Sequence, residues 1–513
     1  MNCSPSHRFA GKPSLTTILL LLLVALGIFF RVRQYAFDRS LWLDEASLSQ
    51  NIIERPLDRL LTEPLDNNQA APLGLLLLAK GSVMWLGESD LVLRIVPLVF
   101  GILALFLGLD VSLHAFHSDA ARVGFMGLLA AAPILVYYSS EIKQYGVDAC
   151  VTLLLLWASY KFNGPETKSL LALALVGSLA VWLAHPSVFV LAAIGAAFLI
   201  QARVRRDSRA TLGYLVVAAV WLANFGAAYS ISLGAIAGNA YLVRYWQSGY
   251  APLSLDSLAW YWESALGLVY LAFRQTDLTV VTALAEWFDA WNIILLIMLA
   301  ISLASLFKHS RLLFSIVVFS IAVTVAVSAY ALYPFRNRML LFLVPLVFIL
   351  AGGAIDWLAR RRISLAWTAA TGLVFALTAL SIPFAIHPHN AYDIKGALSY
   401  IRAYRAPDEA IALQFWSQPA FEMYAKSFAL DEMPLAATLT IDASVDQLLK
   451  SICANPPPRR TWIVFSHLYE QHVAVVERLR SITPQLDSWE GDNAGAFLFD
   501  FSSLAADCSA RSK

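Results

Sequence analysis

Four groups of residues in this chain carry the chemistry of acid–base or phosphate work. The first is Asp44-Glu45, framed by Leu41-Trp42-Leu43 and Ala46, within a stretch from Phe37 to Ala71 that also holds Asp38, Glu54, Asp58, Glu63 and Asp66. The chain has only 36 acidic residues in 513, so such density beside an apolar run calls for a reason. A carboxylate partly withdrawn from water is a stronger base, although the same loop could simply turn its charges to solvent. The second group is Glu141, Tyr145 and Asp148, whose spacing would put them on one helix face. Asp148 falls in an apolar stretch, where an acid is costly unless paired or functional. The third is His185-Pro186, which also suits a plain helix turn. The fourth is Arg336 and Arg338 in Tyr333-Pro334-Phe335-Arg336-Asn337-Arg338. Arginines hold phosphate by fork geometry or by charge, or they anchor a helix end to lipid headgroups.

Together these types suit removal of a group from a phosphate-bearing lipid. A carboxylate can deprotonate an attacking hydroxyl, while arginines neutralise the phosphate that leaves. Tyr145, His185, Arg336 and Arg338 are the candidates for substrate contact, and Asp44, Glu45 and Glu141 for catalysis. A divalent metal ion could assist, with Glu45, Glu141 and His185 as ligands, but their spacing is too open to be a metal motif.

The elements that must position these groups are apolar. The chain is 59% hydrophobic and 14% charged, with a mean hydropathy of +0.63. A soluble domain is nearer about 25% charged, so the composition predicts an α-helical polytopic membrane protein. Candidate spans are 15–32, 91–112, 121–138, 144–160, 168–184, 186–202, 210–232, 288–307, 311–332, 338–357 and 363–384, about eleven at the length a bilayer requires. The first has no small-x-small site after it and runs into Arg31-Val32-Arg33, so it reads as an uncleaved span. Residues 72–88 are barely long enough to cross and hold Lys80 centrally, which suits a juxtamembrane helix.

Basic clusters at Arg203 to Arg209, Lys308 with Arg311, and Arg360-Arg361-Arg362 set the orientation by the positive-inside rule. The N-terminus is then cytoplasmic, and all four chemical groups lie on the outer side. Arg31, Arg33 and Arg39 argue mildly against this scheme. External loops run over 33–90 and 233–287, the latter rich in Trp and Tyr as in an interfacial helix, a lid or an aromatic belt. The composition changes at His387, dividing a membrane domain, 1–386, from a small external α/β domain, 387–513. There Tyr392 to Tyr404 and His467 to Arg480 read as helices, Ala410 to Phe415 and Thr461 to Ser466 as buried strands. Cys3, Cys150, Cys453 and Cys508 show no ligand spacing, and only Cys453 and Cys508 share a soluble region where a disulfide could form. No basic stripe or motif points to nucleic acid.

Trp42-Leu43-Asp44-Glu45-Ala46 after one span resembles the first-loop acidic motif of the polytopic, lipid-dependent glycosyltransferases of the GT-C class. The likeness is to the bacterial branch with ArnT-like and protein-mannosyltransferase-like enzymes (glycosyltransferase family 39 type). Gln69-Ala70-Ala71-Pro72-Leu73 resembles that family's juxtamembrane stretch, with Ala71 where a first proline is common. Leu91 to Pro97 resembles the start of its second true span, Glu141 to Tyr145 its second acidic site, and Tyr333 to Pro345 its late arginine motif. Residues 391–404 resemble the start of its external domain. This order of motifs covers residues 15–410. The resemblance implies a GT-C fold in the bacterial inner membrane with a periplasmic C-terminal domain. It implies inverting transfer of a sugar from a polyprenyl-phosphate donor to a lipid, glycan or protein acceptor at the outer face. Asp44 would be the acceptor-activating base, Glu45 and Glu141 would bind an ion or the acceptor, and Arg336 or Arg338 would hold the donor phosphate. Adjacent acids can exchange roles, so base and ligand stay open between Asp44 and Glu45.

Other classes compete. A transporter or flippase would show repeated broken helices with ionisable residues near the midplane, and no such repeat is visible. An inactive accessory protein of envelope assembly, or a related lipid-linked ligase or sugar-phosphate transferase, would display similar charges.

Overall fold

A computed structural model describes residues 14–234, 238–254, 257–273, 285–388, 390–439 and 460–502. The suggested partners Cys453 and Cys508 lie outside the described residues, while Cys150 is a buried free thiol. In chain order the helices begin with α1 (Leu15–Ala36), α2 (Leu43–Glu54), α3 (Leu57–Thr62), α4 (Leu73–Leu86), α5 (Asp90–Ala115), α6 (Asp119–Ala131) and α7 (Pro133–Tyr138). They continue through α8 (Tyr145–Lys161), α9 (Thr167–Leu183), α10 (Ser187–Val204), α11 (Ser208–Ala228), α12 (Ala240–Tyr245), α13 (Leu258–Phe273) and α14 (Ala285–His309). Next come α15 (Arg311–Ala329), α16 (Val344–Ala359), α17 (Ile363–Ile386) and α18 (Ile394–Tyr404). Strand β1 (Ala410–Gln414), α19 (Gln418–Tyr424), β2 (Leu435–Leu439), β3 (Arg460–Phe465), α20 (Glu470–Arg480), β4 (Gln485–Gly491) and β5 (Ala494–Asp500) complete the described chain.

Contacts group the chain into two units. The first is Met1–Phe37, Pro56–Pro64 and Ala70–Pro388; the second is Asp38–Arg55, Leu65–Gln69 and His389–Lys513.

The first unit is helical because its apolar runs are long and its helix starts are capped. Ser14, Ser89, Ser118 and Asp207 each accept a backbone N–H of the following turn, which satisfies donors a helix leaves orphaned. Helix α4 stops at Gly87, whose φ of 90° suits only a residue without a Cβ. Among the described residues, seven helices are long and apolar enough to cross a membrane. Every stretch read as a span is largely helical, with three departures in form, the first being that the 210–232 stretch ends as a π-helix over Tyr229–Leu233. The 121–138 stretch is two helices, α6 and α7, since Pro133 has no N–H to continue the ladder. The 338–357 stretch starts as a 3-10 helix over Asn337–Leu343, ahead of Pro345 near the start of α16. Helix α4 is separate and short, and ends in exposed Met84, Trp85 and Leu86, an apolar tip suited to lipid.

Helix α6 is buried from Ala120 to Ala131 save Arg122, and small residues make that possible. A Cβ on Gly124 would meet Ile355, and one on Gly127 would meet Val374, so α16 and α17 approach closely. The carbonyls that α6 leaves open at its proline break are taken by Arg31. Its Nη2 donates to Leu129 O at 2.8 Å and its Nη1 to Ala130 O at 3.2 Å and to Gly27 O at 3.0 Å. Arg31 and Arg39 are each 3% exposed or less. Two of the three arginines that argued against the orientation are therefore interior groups with protein partners.

The second unit is a five-stranded sheet of order β2-β1-β3-β5-β4. Strand β1 is parallel to β2 and β3, while β5 is antiparallel to β3 and β4. Strands β1 and β3 are nearly continuous apolar runs because both faces are covered. Strands β4 and β5 turn through Asp492-Asn493, with Asn493 at positive φ, a conformation Asn tolerates. Ala412, Ile463, Phe465, Val476, Leu479, Phe497 and Phe499 close the core between sheet and α20. Residues 38–55, an acidic loop by sequence, are part of this unit.

Substituting Arg31→Met should cost about 1.5–3 kcal/mol, since hydrogen bonds to a charged donor are lost and carbonyls stay buried. Denaturant unfolding in micelles, followed by circular dichroism, reads the loss.

Candidate functional site

In the second unit the first loop is tied down residue by residue. The Leu41 N–H donates to the Tyr424 hydroxyl at 2.9 Å, and the Ser40 hydroxyl donates to Asp393 at 3.2 Å. Lys395 Nζ meets Asp38 at 3.2 Å. Trp42 stacks on Tyr392, with centroids 6.4 Å apart and planes 22° apart. These ties set the start of α2, whose first turn carries Asp44 and Glu45, where the helix dipole favours negative charge.

The two acids have different surroundings. Glu45 is 0% exposed and its Oε2 accepts from Arg39 Nη1 at 2.7 Å. Asp44 is half-buried, so it keeps access to solvent. Its charge reaches His467, at the end of β3. Burial, then the neighbouring His472, push the His467 imidazole down to about 3, with Asp44 pulling the other way. His467 donates to or accepts from the Ser466 hydroxyl at 2.8 Å and packs on the Tyr392 ring at 4.1 Å.

In the first unit a second group forms where α7, α8 and the 3-10 helix Asn337–Leu343 meet. Arg338 lies over the Tyr145 ring at 5.6 Å and the Trp246 ring at 5.9 Å. Tyr138 stands edge-on to Tyr145 at 5.3 Å, and its hydroxyl is within electrostatic reach of both Glu141 and Arg338. Trp246 is brought there by the short turn Gln247–Gly249, which the Phe335 N–H pins by donating to Gly249 O at 2.7 Å. Arg336 is exposed and donates to the Ser248 hydroxyl, so it secures the same turn.

The helical face expected for Glu141, Tyr145 and Asp148 is not what forms. Residues Ser139 to Gln144 are a buried non-helical segment, and α8 begins only at Tyr145. Glu141 joins the group from that segment, not from one turn upstream on a helix. Asp148 sits deeper and acts on Tyr333, whose hydroxyl is held well above its ordinary value by burial, then by Asp148 and Tyr145. The Tyr333 ring also packs on Phe189 at 5.1 Å, one helical turn beyond His185. Burial pushes His185 down to about 4, so the imidazole is neutral. Among the described residues, Gln144 Oε1, Asp148 Oδ1 and His185 Nε2 are buried without a hydrogen-bond partner. Orphaned polar atoms of this kind are uncommon in native interiors and invite a ligand or water.

Among the described residues no three His, Cys, Asp or Glu side chains gather as a metal-holding group. The set Glu45, Glu141 and His185 therefore gains no support from geometry, and no step below is routed through an ion.

Sequence reading missed His467, Trp246 and Tyr138 as members. Trp246 lay in a stretch read as a belt or lid. The signal for His467 was its place just after a buried strand, in Ser466-His467.

No family profile matches the chain, and no curated protein matches it. Among solved structures the chain is similar to ArnT from Cupriavidus metallidurans in the apo state, at 13% identity and a TM-score of 0.54 over 96% of this chain and 99% of that one. The chain shares the ArnT fold. A second structure, of the same protein bound to undecaprenyl phosphate, aligns at 13% identity and a TM-score of 0.48 over 95% of this chain and 98% of that one. At this identity the likeness is one of fold: a polytopic helical membrane protein with a small C-terminal domain containing a sheet.

Two outcomes follow. Arg39→Ala strands a buried carboxylate and should destabilise by about 3–5 kcal/mol, whereas Arg39→Met with Glu45→Leu should recover most of that loss. Unfolding of both variants in parallel checks the pair. For His467 the unfolded chain takes up a proton near 6.5 and the folded one only near 3. Stability should therefore fall as pH drops through that interval. His467→Gln should reduce this slope, read by hydrogen exchange of β3 amides between pH 4 and about 7.

Proposed function

We propose that this protein is a membrane glycosyltransferase. It moves a sugar from a polyprenyl-phosphate-linked donor to an envelope acceptor, whether lipid, glycan or protein, at the outer face of the bacterial inner membrane. The observation that carries this reading is Arg338, held across two aromatic rings with Glu141 at hand and orphaned polar atoms on nearby elements. Phosphate is the group that a guanidinium's fork matches, and the two rings fix where this guanidinium lies. The fold shared with ArnT supports the same reading.

Asp44 takes the role of base because it is the solvent-accessible member of its pair, while Glu45 is committed to Arg39. Its carboxylate accepts the proton of the acceptor hydroxyl as that oxygen attacks the anomeric carbon. The anomeric C–O bond to phosphate breaks, and its electron pair leaves with the polyprenyl phosphate. Arg338, with Arg336 nearby in sequence, neutralises that leaving group. Inversion at the anomeric carbon follows from a single displacement. Glu141 and Tyr145 orient the donor, and the neutral His185 offers it a hydrogen bond.

The test is lipid analysis of membranes with and without the protein. The expected outcome is accumulation of a polyprenyl-phosphate sugar in its absence, reversed by wild type and not by Asp44→Asn. Full activity of a folded Asp44→Asn protein would remove the base assignment. Arg338→Ala should raise the donor KM by about 10- to 100-fold, the loss of one or two charge-assisted hydrogen bonds, and Arg336→Ala by less.

A further inference from the structure

Strands β1 and β3 are parallel neighbours whose connections leave in opposite directions. The chain after β1 passes through α19 to β2 on one side, and the chain after β3 passes through α20 to the β4–β5 edge on the other. Their carboxyl ends are thus a topological switch point, the place where open α/β sheets form a crevice for ligands. What the sequence places there is aromatic and hydrogen-bonding. After β1 comes Trp416, and after β3 come His467 and Tyr469. Trp416 lies 5.7 Å from His467 and 6.0 Å from Tyr469, and the Tyr469 hydroxyl meets that of Tyr392 at 3.1 Å. Tyr469 stacks on His472 at 5.8 Å yet is 41% exposed, and Trp416 is half-buried, so both rings keep some surface towards solvent.

A second observation points to a ligand. Gln414, the last residue of β1, is 2% exposed. Its Oε1 accepts the Trp416 N–H at 2.9 Å, which fixes the amide at the strand exit. Its Nε2 has no hydrogen-bond partner among the described residues. A buried amide donor is costly to leave unmet.

We propose that the carboxyl ends of β1 and β3 form a saccharide-binding subsite for a neutral pyranose ring, with Trp416 and Tyr469 as stacking walls and Gln414 as hydrogen-bond donor. The C–H face of a pyranose fits the negative face of an aromatic ring, while its hydroxyls match an amide, an imidazole and the Ser466 hydroxyl. A phosphate would find the Asp44 carboxylate at His467, which disfavours a second anion. Assigning the pyranose to the acceptor rests on the transferase reading above; its binding does not.

The experiment uses the full chain in lipid nanodiscs and saturation-transfer NMR. The probes are the methyl pyranosides of glucose, galactose, mannose and N-acetylglucosamine, with dodecyl glucoside added to the disc. At least one methyl pyranoside should bind at up to about 50 mM, well above the millimolar affinity expected of two ring contacts. Tyr469→Ala, at an exposed position, should weaken it at least about tenfold, as should Trp416→Ala, with Trp416→Phe retaining most of it. Gln414→Glu keeps the oxygen that accepts from Trp416 and removes the donor, and it should also weaken binding. Tighter binding of the dodecyl glucoside than of its methyl counterpart supports the subsite with a lipid-anchored glycan as its source; equal binding supports it with a free glycan. No binding by any pyranoside, or binding unchanged in Tyr469→Ala and Trp416→Ala, overturns the subsite. Tyr469-dependent binding together with unaltered membrane lipids would leave the subsite standing and remove the transferase reading.

Discussion

The salt bridge between Arg39 and Glu45 is sealed from water at both ends, and the geometry of the first loop depends on it. A buried pair adds little net stability, because desolvation offsets most of its attraction, but breaking it strands a charge. Its effect here is positional. It closes the turn that leads into α2, so the only acid of that turn with access to solvent is Asp44. The Tyr424 hydroxyl on the Leu41 N–H and the Tyr392 ring under Trp42 hold the same turn from outside. A carboxylate so braced does not spend binding energy on being positioned.

The first unit shows a comparable link between a helix break and a polar group. Pro133 stops α6, Arg31 caps the open carbonyls, and α7 is short. The chain beyond it has no helical ladder between Ser139 and Gln144, yet it is buried. That is how Glu141 and Lys143 can lie inside an apolar unit, where ordinary helix faces would be filled by Leu and Val. Arg338 is presented in a similar way, from a 3-10 helix ahead of Pro345. The second irregularity lies just ahead of a proline, and both carry charged residues of the group.

Much of this was legible from residue patterns. Apolar runs near twenty residues announce helices, because only a helix satisfies its backbone in lipid within one segment and that length matches a helical crossing. The helix read over Tyr392–Tyr404 and the strands at Ala410 and Thr461 were readable from period and from short apolar runs. Strands β2, β4 and β5 were not, since their pairing is decided by neighbours far along the chain. At the site, Asp44 and Arg338 stood out because charge is rare in this composition. Glu141 was placed on a helix face that does not form, because α7 ends at Tyr138 and α8 starts only at Tyr145, and spacing alone does not reveal such a gap. His467 was missed for a simpler reason: its importance lies in meeting Asp44 across more than four hundred residues, and local sequence holds no record of such a meeting.

That distance has a consequence for how the protein is made. Leu41 finds the Tyr424 hydroxyl 383 residues later. At ribosomal speeds of about 5–20 residues per second, the segment bearing Asp44 emerges about 20–80 s before its docking partners exist. During that interval Arg39 and Glu45 have no packed surface to exclude water around them, and Trp42 has no ring to cover it. Nascent chains must therefore carry a provisional first loop, open to chaperones and proteases, and Asp44 is set in place only after residues 392–424 have been made.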